Sequence, residues 1–107
     1  MIYRQLGRTG IDISLLSLGS GGQNPFGQNT GIPESEIHSL IHRALDLGIN
    51  HFGTAARPAY GDSELILGRA LKGIPRNTYT ISSKFSVFNQ ESGEVISPRK
   101  AIQYVEN

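Results

Sequence analysis

The chain has no cysteine, no tryptophan and no excess of either charge. Without cysteine it has no disulfide, thiolate metal site or cysteine nucleophile, so we expect a cytoplasmic protein. Ten basic residues balance nine acidic ones, which gives no electrostatic basis for binding nucleic acid or an anionic membrane. No apolar run approaches the roughly 18 residues of a membrane span, and the first residues lack a basic segment followed by an apolar one, so we expect no signal peptide.

Glycine is abundant in this chain. The 107 residues include 13 glycines, and 37% of the residues are hydrophobic, which suits one small domain over residues 1–107. Apolar and polar residues alternate on both sides of Gly7–Gly10, so residues 2–14 are predicted to form a β-hairpin. A short strand is expected at 15–18, followed by glycines and then by a loop over 23–33 without either periodicity.

Strands and helices alternate in the rest of the chain. Apolar residues at helical spacing predict an amphipathic helix from Glu34 that ends at Gly48. A second helix should begin at Asp62, whose side chain is expected to cap it, and a third at Ser97 and Pro98. A buried strand is predicted at 49–52, and β-branched residues predict another strand at 78–84. This order predicts an α/β fold with parallel strands joined by helical crossovers.

Three clusters contain residue types that are used in ligand binding or catalysis, but each is better explained as an ordinary structural feature. Gly19 and Gly21 begin a dinucleotide-binding pattern, but Asn24 occupies the position of its third glycine, which favours a glycine-rich turn. His38 and His42 have the i, i+4 spacing of a zinc pair without the glutamate of that motif or a third ligand nearby, so both are expected at the surface and no metal site is predicted. Asp62, Ser63 and Glu64 contain the residue types of a nucleophile with a carboxylate, but a helix start is the nearer explanation.

Tyr60 and Lys84 form the most informative pair. Tyr60 lies in the loop after the second parallel strand, and Lys84 ends the third. Adjacent strands of an α/β barrel project their carboxyl ends to one face, so these side chains can approach each other. An ammonium group favours the phenolate form of a nearby tyrosine, which makes the phenol a useful proton donor. A packed tyrosine and a solvated lysine remain the alternative.

Several motifs together resemble the N-terminal part of an aldo-keto reductase. They cover nearly the whole chain in the family's order, and they are the runs 3–10, 18–21, 48–55, 60–64 and 67–71, followed by Lys84. The resemblance implies an N-terminal hairpin followed by about three βα units of a (β/α)8 TIM barrel. It also implies NADPH-dependent reduction of small-molecule carbonyl compounds.

The family's catalytic group is Asp, Tyr, Lys and His. By resemblance, Tyr60 is the proton donor, Lys84 is its partner, and Gly21 and Gly22 lie beside the nicotinamide. The sequence departs from the family at Gly53, where the family has the aspartate. The stretch before Tyr60 is also about two residues longer than the commonest family spacing.

A complete barrel takes about 250 residues. We therefore expect 107 residues to be a truncated piece that lacks the catalytic histidine and the phosphate-binding residues. One hypothesis is a reductase by descent that is inactive alone. The other is a non-catalytic fragment that forms a homo-oligomer through open barrel edges, burying a face around Leu16, Leu18, His51 and Ile81.

Overall fold

The computed structural model describes residues 1–89 and 91–106. Three helices and five short strands make up its regular structure. The strands are β1 (Tyr3–Gln5), β2 (Asp12–Ser14), β3 (Leu18–Gly19), β4 (His51–Gly53) and β5 (Thr80–Ser82). The helices are α1 (Glu34–Asp46), α2 (Ser63–Ala70) and α3 (Pro98–Glu106), and two 3-10 turns occupy Pro25–Thr30 and Arg76–Thr78.

The predicted hairpin is confirmed. Strands β1 and β2 pair antiparallel with Tyr3 opposite Ser14. Asn50, which directly precedes β4, holds the hairpin in place. Its side-chain oxygen accepts a hydrogen bond from Ser14 N at 2.7 Å, and its side-chain nitrogen donates to Asp12 O at 3.0 Å. The hairpin therefore lies at the amino end of the parallel strands, the end opposite the strand termini expected to carry chemistry.

The parallel sheet is also confirmed, in the order β3-β4-β5. Its register places Leu18, Phe52 and Ile81 side by side. Phe52 is buried in the core and Leu18 packs against that core, so this face is the one the helices cover. His51 belongs to the opposite face, because successive side chains of a strand alternate. The expectation that Leu18, His51 and Ile81 share one open face is therefore wrong.

Helices α1 and α2 form the core with Phe52. Ile37, Ile41 and Ala44 recur at helical spacing on α1 and are buried, which is why this segment is helical and why it packs inward. From α2, Ile66, Leu67 and Ala70 complete the cluster. Gly48 lies two residues after the end of α1 and adopts φ +89, a conformation that glycine supplies at little cost, which confirms the expected helix end.

The capping role predicted for Asp62 is wrong. Asp62 occupies the position before α2, but its side chain makes no capping hydrogen bond. Instead its carboxylate accepts a hydrogen bond from the Arg57 guanidinium. A cation five residues earlier in the chain has attracted the carboxylate away from the helix end.

Two sequence-based boundaries also change. Leu15 and Leu16 are not in a strand: the Ser14 hydroxyl donates to Leu16 O at 2.5 Å, the chain bends there, and both leucines are exposed. Pairing with β4 begins only at Leu18.

The predicted loop over 23–33 contains the 3-10 turn Pro25–Thr30, in which Phe26 adopts φ +49. Such a turn has no apolar period that a sequence could display.

Strand β5 and helix α3 agree more closely with the sequence-based predictions. Strand β5 is shorter than the predicted range but lies within it. Helix α3 begins at Pro98, and the Ser97 hydroxyl accepts a hydrogen bond from Lys100 N at 3.3 Å, which confirms Ser97 as the cap. Across residues 1–89 and 91–106, no helix combines the length and the apolar character needed to cross a membrane.

Candidate active site

The carboxyl ends of the three parallel strands bring the predicted residues together. Gly21 and Gly22 follow β3, Tyr60 lies in the segment after β4, and Lys84 lies two residues beyond β5. Backbone hydrogen bonds continue past the assigned strands, from Thr54 N to Ser82 O at 2.8 Å and from Ala56 N to Lys84 O at 3.0 Å. Hydrogen bonds therefore hold the backbone at the carboxyl end of the sheet in place, and we call this end of the sheet the platform.

Tyr60 and Lys84 are neighbours, as the strand geometry predicts. The Lys84 ammonium nitrogen lies 5.3 Å from the centroid of the Tyr60 ring, within the range of a cation–π contact. The same nitrogen donates to Thr54 O at 3.0 Å, which fixes it at the end of β4. The longer stretch before Tyr60 does not prevent this approach.

Gly21 completes the contact with Tyr60. A β-carbon placed on Gly21 would lie 2.3 Å from Tyr60 Cζ and 2.7 Å from its hydroxyl oxygen, so a side chain at this position would overlap the ring. Gly22 differs: it has φ +96, and a β-carbon there would meet nothing within 4 Å. A side chain would therefore meet the Tyr60 ring at Gly21 but would have free space at Gly22.

Gly53 changes the chemistry of the platform. It brings no carboxylate to the end of β4, and the nearest atom to a β-carbon built there is Ser82 Oγ at 3.8 Å. Polar side chains occupy the same face of the sheet: His51 Nδ1 lies 2.8 Å from Thr80 Oγ1, and its Nε2 lies 3.4 Å from Ser82 Oγ. Lys84 therefore has a backbone carbonyl, and not a carboxylate, as its hydrogen-bond acceptor here.

Sequence reasoning missed Gln28. Its side-chain oxygen accepts a hydrogen bond from Asp62 N at 2.8 Å, and its nitrogen donates to Ser63 Oγ at 3.1 Å. These partners flank the segment that carries Tyr60. No local pattern marks Gln28, because its partners lie more than 30 residues away in the chain.

The histidines of α1 have other partners. His38 Nε2 lies 3.0 Å from Glu34 Oε1, while His42 Nε2 lies 2.6 Å from Ala70 O. In the part of the chain that the structure describes, no three side chains among His, Asp and Glu are grouped so as to hold a metal ion. His42 is exposed, as expected of a surface residue, whereas His38 is half-buried.

A pair of oppositely charged residues links the two core helices at the surface. Arg69 of α2 donates to both carboxylate oxygens of Glu34 on α1, at 2.6 Å and 2.9 Å. These hydrogen bonds from Arg69 are the main reason that the pKa of Glu34 is lowered, and they raise the pKa of Arg69 in turn.

An N-terminal hairpin below three parallel strands, with helices on one face and Tyr60 and Lys84 near the carboxyl ends, defines a partial (β/α) barrel. Comparison with known proteins identifies the family. The model of the aldo/keto reductase family matches residues 17–106, so the chain belongs to this family. Membership confirms both the resemblance and the fold class inferred from the sequence.

Individual relatives are similar over most of the chain. A Schizosaccharomyces pombe protein described as a voltage-gated potassium channel subunit beta is 39% identical over 84 residues, which are 77% of this chain and 24% of the relative. Versiconal hemiacetal acetate reductase of Aspergillus parasiticus is 36% identical over 101 residues, 92% of this chain and 29% of the enzyme. A Pseudomonas aeruginosa protein assigned to the aldo-keto reductases matches 98% of this chain and 39% of its own, with a TM-score of 0.74 and 38% identity.

The chain thus spans about a quarter of the length of the curated relatives it matches. Its three parallel strands are correspondingly fewer than the eight of a closed barrel.

Proposed function

We propose that this chain contributes the proton-donating part of an NADPH-dependent carbonyl reductase, with Tyr60 as proton donor and Lys84 as its cationic partner. The observation that carries the proposal is the Lys84 ammonium 5.3 Å from the Tyr60 ring centroid, at the carboxyl end of a parallel sheet. Barrel enzymes place their chemistry at this end. Membership of the aldo/keto reductase family supports an oxidoreductase.

Reduction of a carbonyl requires one hydride and one proton. Bound NADPH would supply the hydride to the carbonyl carbon. Tyr60 would give its hydroxyl proton to the carbonyl oxygen, so that an alcohol forms and Tyr60 is left as a phenolate. Lys84 would stabilise that phenolate, because a positive charge beside a developing negative charge lowers its energy. Its hydrogen bond to Thr54 O holds the ammonium in place for this role.

The glycine segment supports a flat cofactor ring beside this pair. Gly22 is exposed, and a β-carbon built on it would meet nothing within 4 Å. A cavity of about 490 Å³ lies next to the end of β5, lined in part by Ala56, Phe85 and Lys100, but neither Tyr60 nor Lys84 lines it, so it does not locate a substrate beside the pair.

We further propose that these 107 residues do not turn over substrate at a measurable rate by themselves. Hydride transfer needs the reacting atoms held about 3–3.5 Å apart, and small misplacements reduce the rate steeply. Gly53 supplies no carboxylate to Lys84, and three strands provide only part of the wall that would hold substrate and cofactor. Restoring the carboxylate with Gly53→Asp should not rescue activity, although the nearest atom, at 3.8 Å, leaves room for it.

Binding of NADPH tests the first part of the proposal. Tyrosine is the intrinsic fluorophore, since the chain has four tyrosines and no tryptophan. Saturable quenching of this fluorescence at micromolar NADPH, after correction with free tyrosine for absorption of light by the nucleotide, would favour a cofactor site on this chain. Quenching that never saturates would contradict a cofactor site on this chain.

A second candidate function is a non-catalytic assembly module. Strands β3 and β5 are the outer strands of the sheet, and Leu16 beside β3 is 62% exposed. Outer strands and exposed apolar side chains recruit further chains. This reading predicts a cytoplasmic homo-oligomer, and sedimentation equilibrium tests it: a compact, folded species of 11.6 kDa at micromolar concentration would contradict it.

A further inference from the structure

The side chain of Gln28 connects the turn Pro25–Thr30 to the segment that carries Tyr60. Its oxygen accepts from Asp62 N at 2.8 Å, while its nitrogen donates to Ser63 Oγ at 3.1 Å and lies 3.4 Å from Tyr60 O. A carboxamide is suited to this position because it accepts on one side and donates on the other.

The connection continues from Gln28 to the glycine segment. The Ser63 hydroxyl, in a residue with no exposed surface, donates to Ser20 O at 2.8 Å. Ser20 is held in turn on the end of β4, because its N–H and its hydroxyl donate to Gly53 O at 2.9 Å and 3.0 Å. Gln28 is therefore tied to the residue before Gly21 as well as to Tyr60.

The fit around Gln28 is close. Gly61, directly after Tyr60, has φ +52, and a β-carbon on it would lie 2.5 Å from Gln28 Oε1. Any side chain at this position would push the carboxamide away from Asp62 N. On its other side, the Tyr60 ring lies against Gly21 with equally little room. The Tyr60 segment is therefore confined between the carboxamide and the glycine backbone.

We infer that Gln28 is a positioning residue, which holds the Tyr60 ring against Gly21 and beside Lys84 through its hydrogen bonds to Asp62 and Ser63. Its importance for proton donation rests on the function proposed above, but its effect on ring position does not. Without the carboxamide, the Asp62 N–H loses its acceptor and the buried Ser63 hydroxyl loses its donor, so the segment gains freedom to move.

Nuclear Overhauser spectra of the full chain without cofactor test this inference. In the unaltered protein we expect a strong cross-peak between the ring protons of Tyr60 and the α-protons of Gly21. Gln28→Met keeps the length of the side chain and removes its hydrogen bonds, and it should weaken the cross-peak at least several-fold. Gln28→Glu retains an acceptor for Asp62 N but no donor for Ser63, so an intermediate loss is expected.

Asn29→Ala is the matched control. Asn29 lies in the same turn, and its side chain donates to Gln23 O at 2.7 Å without reaching Tyr60. This variant should lower stability without weakening the cross-peak. If Gln28 only stabilised the turn, Gln28→Met would likewise lower stability and leave the cross-peak unweakened.

An unweakened cross-peak in folded Gln28→Met would overturn the inference. If circular dichroism shows that this variant does not fold, an unweakened cross-peak in Gln28→Glu decides against it equally. Neither readout involves NADPH, so the two proposals can fail separately. If NADPH does not bind but Gln28→Met loses the cross-peak, a cofactor site on this chain is refuted and the role of Gln28 is intact.

Discussion

Adding one methyl group at Gly21 should displace Tyr60. The β-carbon of Gly21→Ala would lie 2.3 Å from Cζ and 2.4 Å from Cε1 of the ring, whereas ordinary contacts begin at about 3.4 Å. The ring must therefore retreat by roughly 1 Å, or rotate away from the platform. Tyr60 is only half-buried, so we expect rotation into solvent rather than a large loss of stability.

Nuclear magnetic resonance measures this displacement directly. Gly21→Ala should shift the ring resonances of Tyr60 and weaken the cross-peaks between that ring and the side chain of Lys84. Gly19→Ala is the control, because a β-carbon at Gly19 meets nothing within 4 Å and its φ is not positive. Unchanged Tyr60 resonances in a folded Gly21→Ala chain would refute the placement of the ring, since the methyl group cannot fit without movement.

Three further predictions concern stability. In urea unfolding, Ile41→Ala should lower the free energy of unfolding by about 2–5 kcal/mol, because Ile41 is fully buried. Leu40 lies on the same helix and is 52% exposed, so Leu40→Ala should lower it far less. Equal losses would contradict the core described here. The pKa of Glu34 is lowered in the folded state, so its pair with Arg69 stabilises the fold above the ordinary pKa of 4.5, and this contribution is lost as the pH falls through the lowered value. Glu34→Gln should therefore be less stable than the natural chain at neutral pH and converge with it in acid, and a difference that persists in acid would count against the pair. Gly68→Ala, at an exposed position of α2 with free space around it, should stabilise the chain by about 0.5–1 kcal/mol in thermal unfolding.

The sequence predicts those features whose cause is local or periodic. Helix α1 follows from the recurrence of its apolar residues, and the approach of Tyr60 to Lys84 follows from the rule that parallel strands share a carboxyl end. Both predictions need only the spacing of residues along the chain and the topology of the fold.

The features that were missed depend on partners distant in sequence or on competition for one group. Gln28 reaches residues more than 30 positions away, and no period announces such contacts. Asp62 has the residue type and position of a helix cap, yet Arg57 binds its carboxylate instead. Leu16 lies in an apolar run that looks like a strand, but the chain bends at Leu15 and Leu16 and leaves both exposed.

The central claim is that Tyr60 and Lys84 form the proton-donating pair of a carbonyl reductase within a frame too incomplete to act alone. Turnover of a reactive aldehyde such as 4-nitrobenzaldehyde, followed as loss of NADPH absorbance, tests it most directly. We predict no turnover above the buffer control, either for this chain or for Gly53→Asp. NADPH-dependent turnover by the 107 residues that Tyr60→Phe abolishes would contradict the claim of incompleteness, and turnover that Tyr60→Phe leaves unchanged would contradict the assignment of the proton donor.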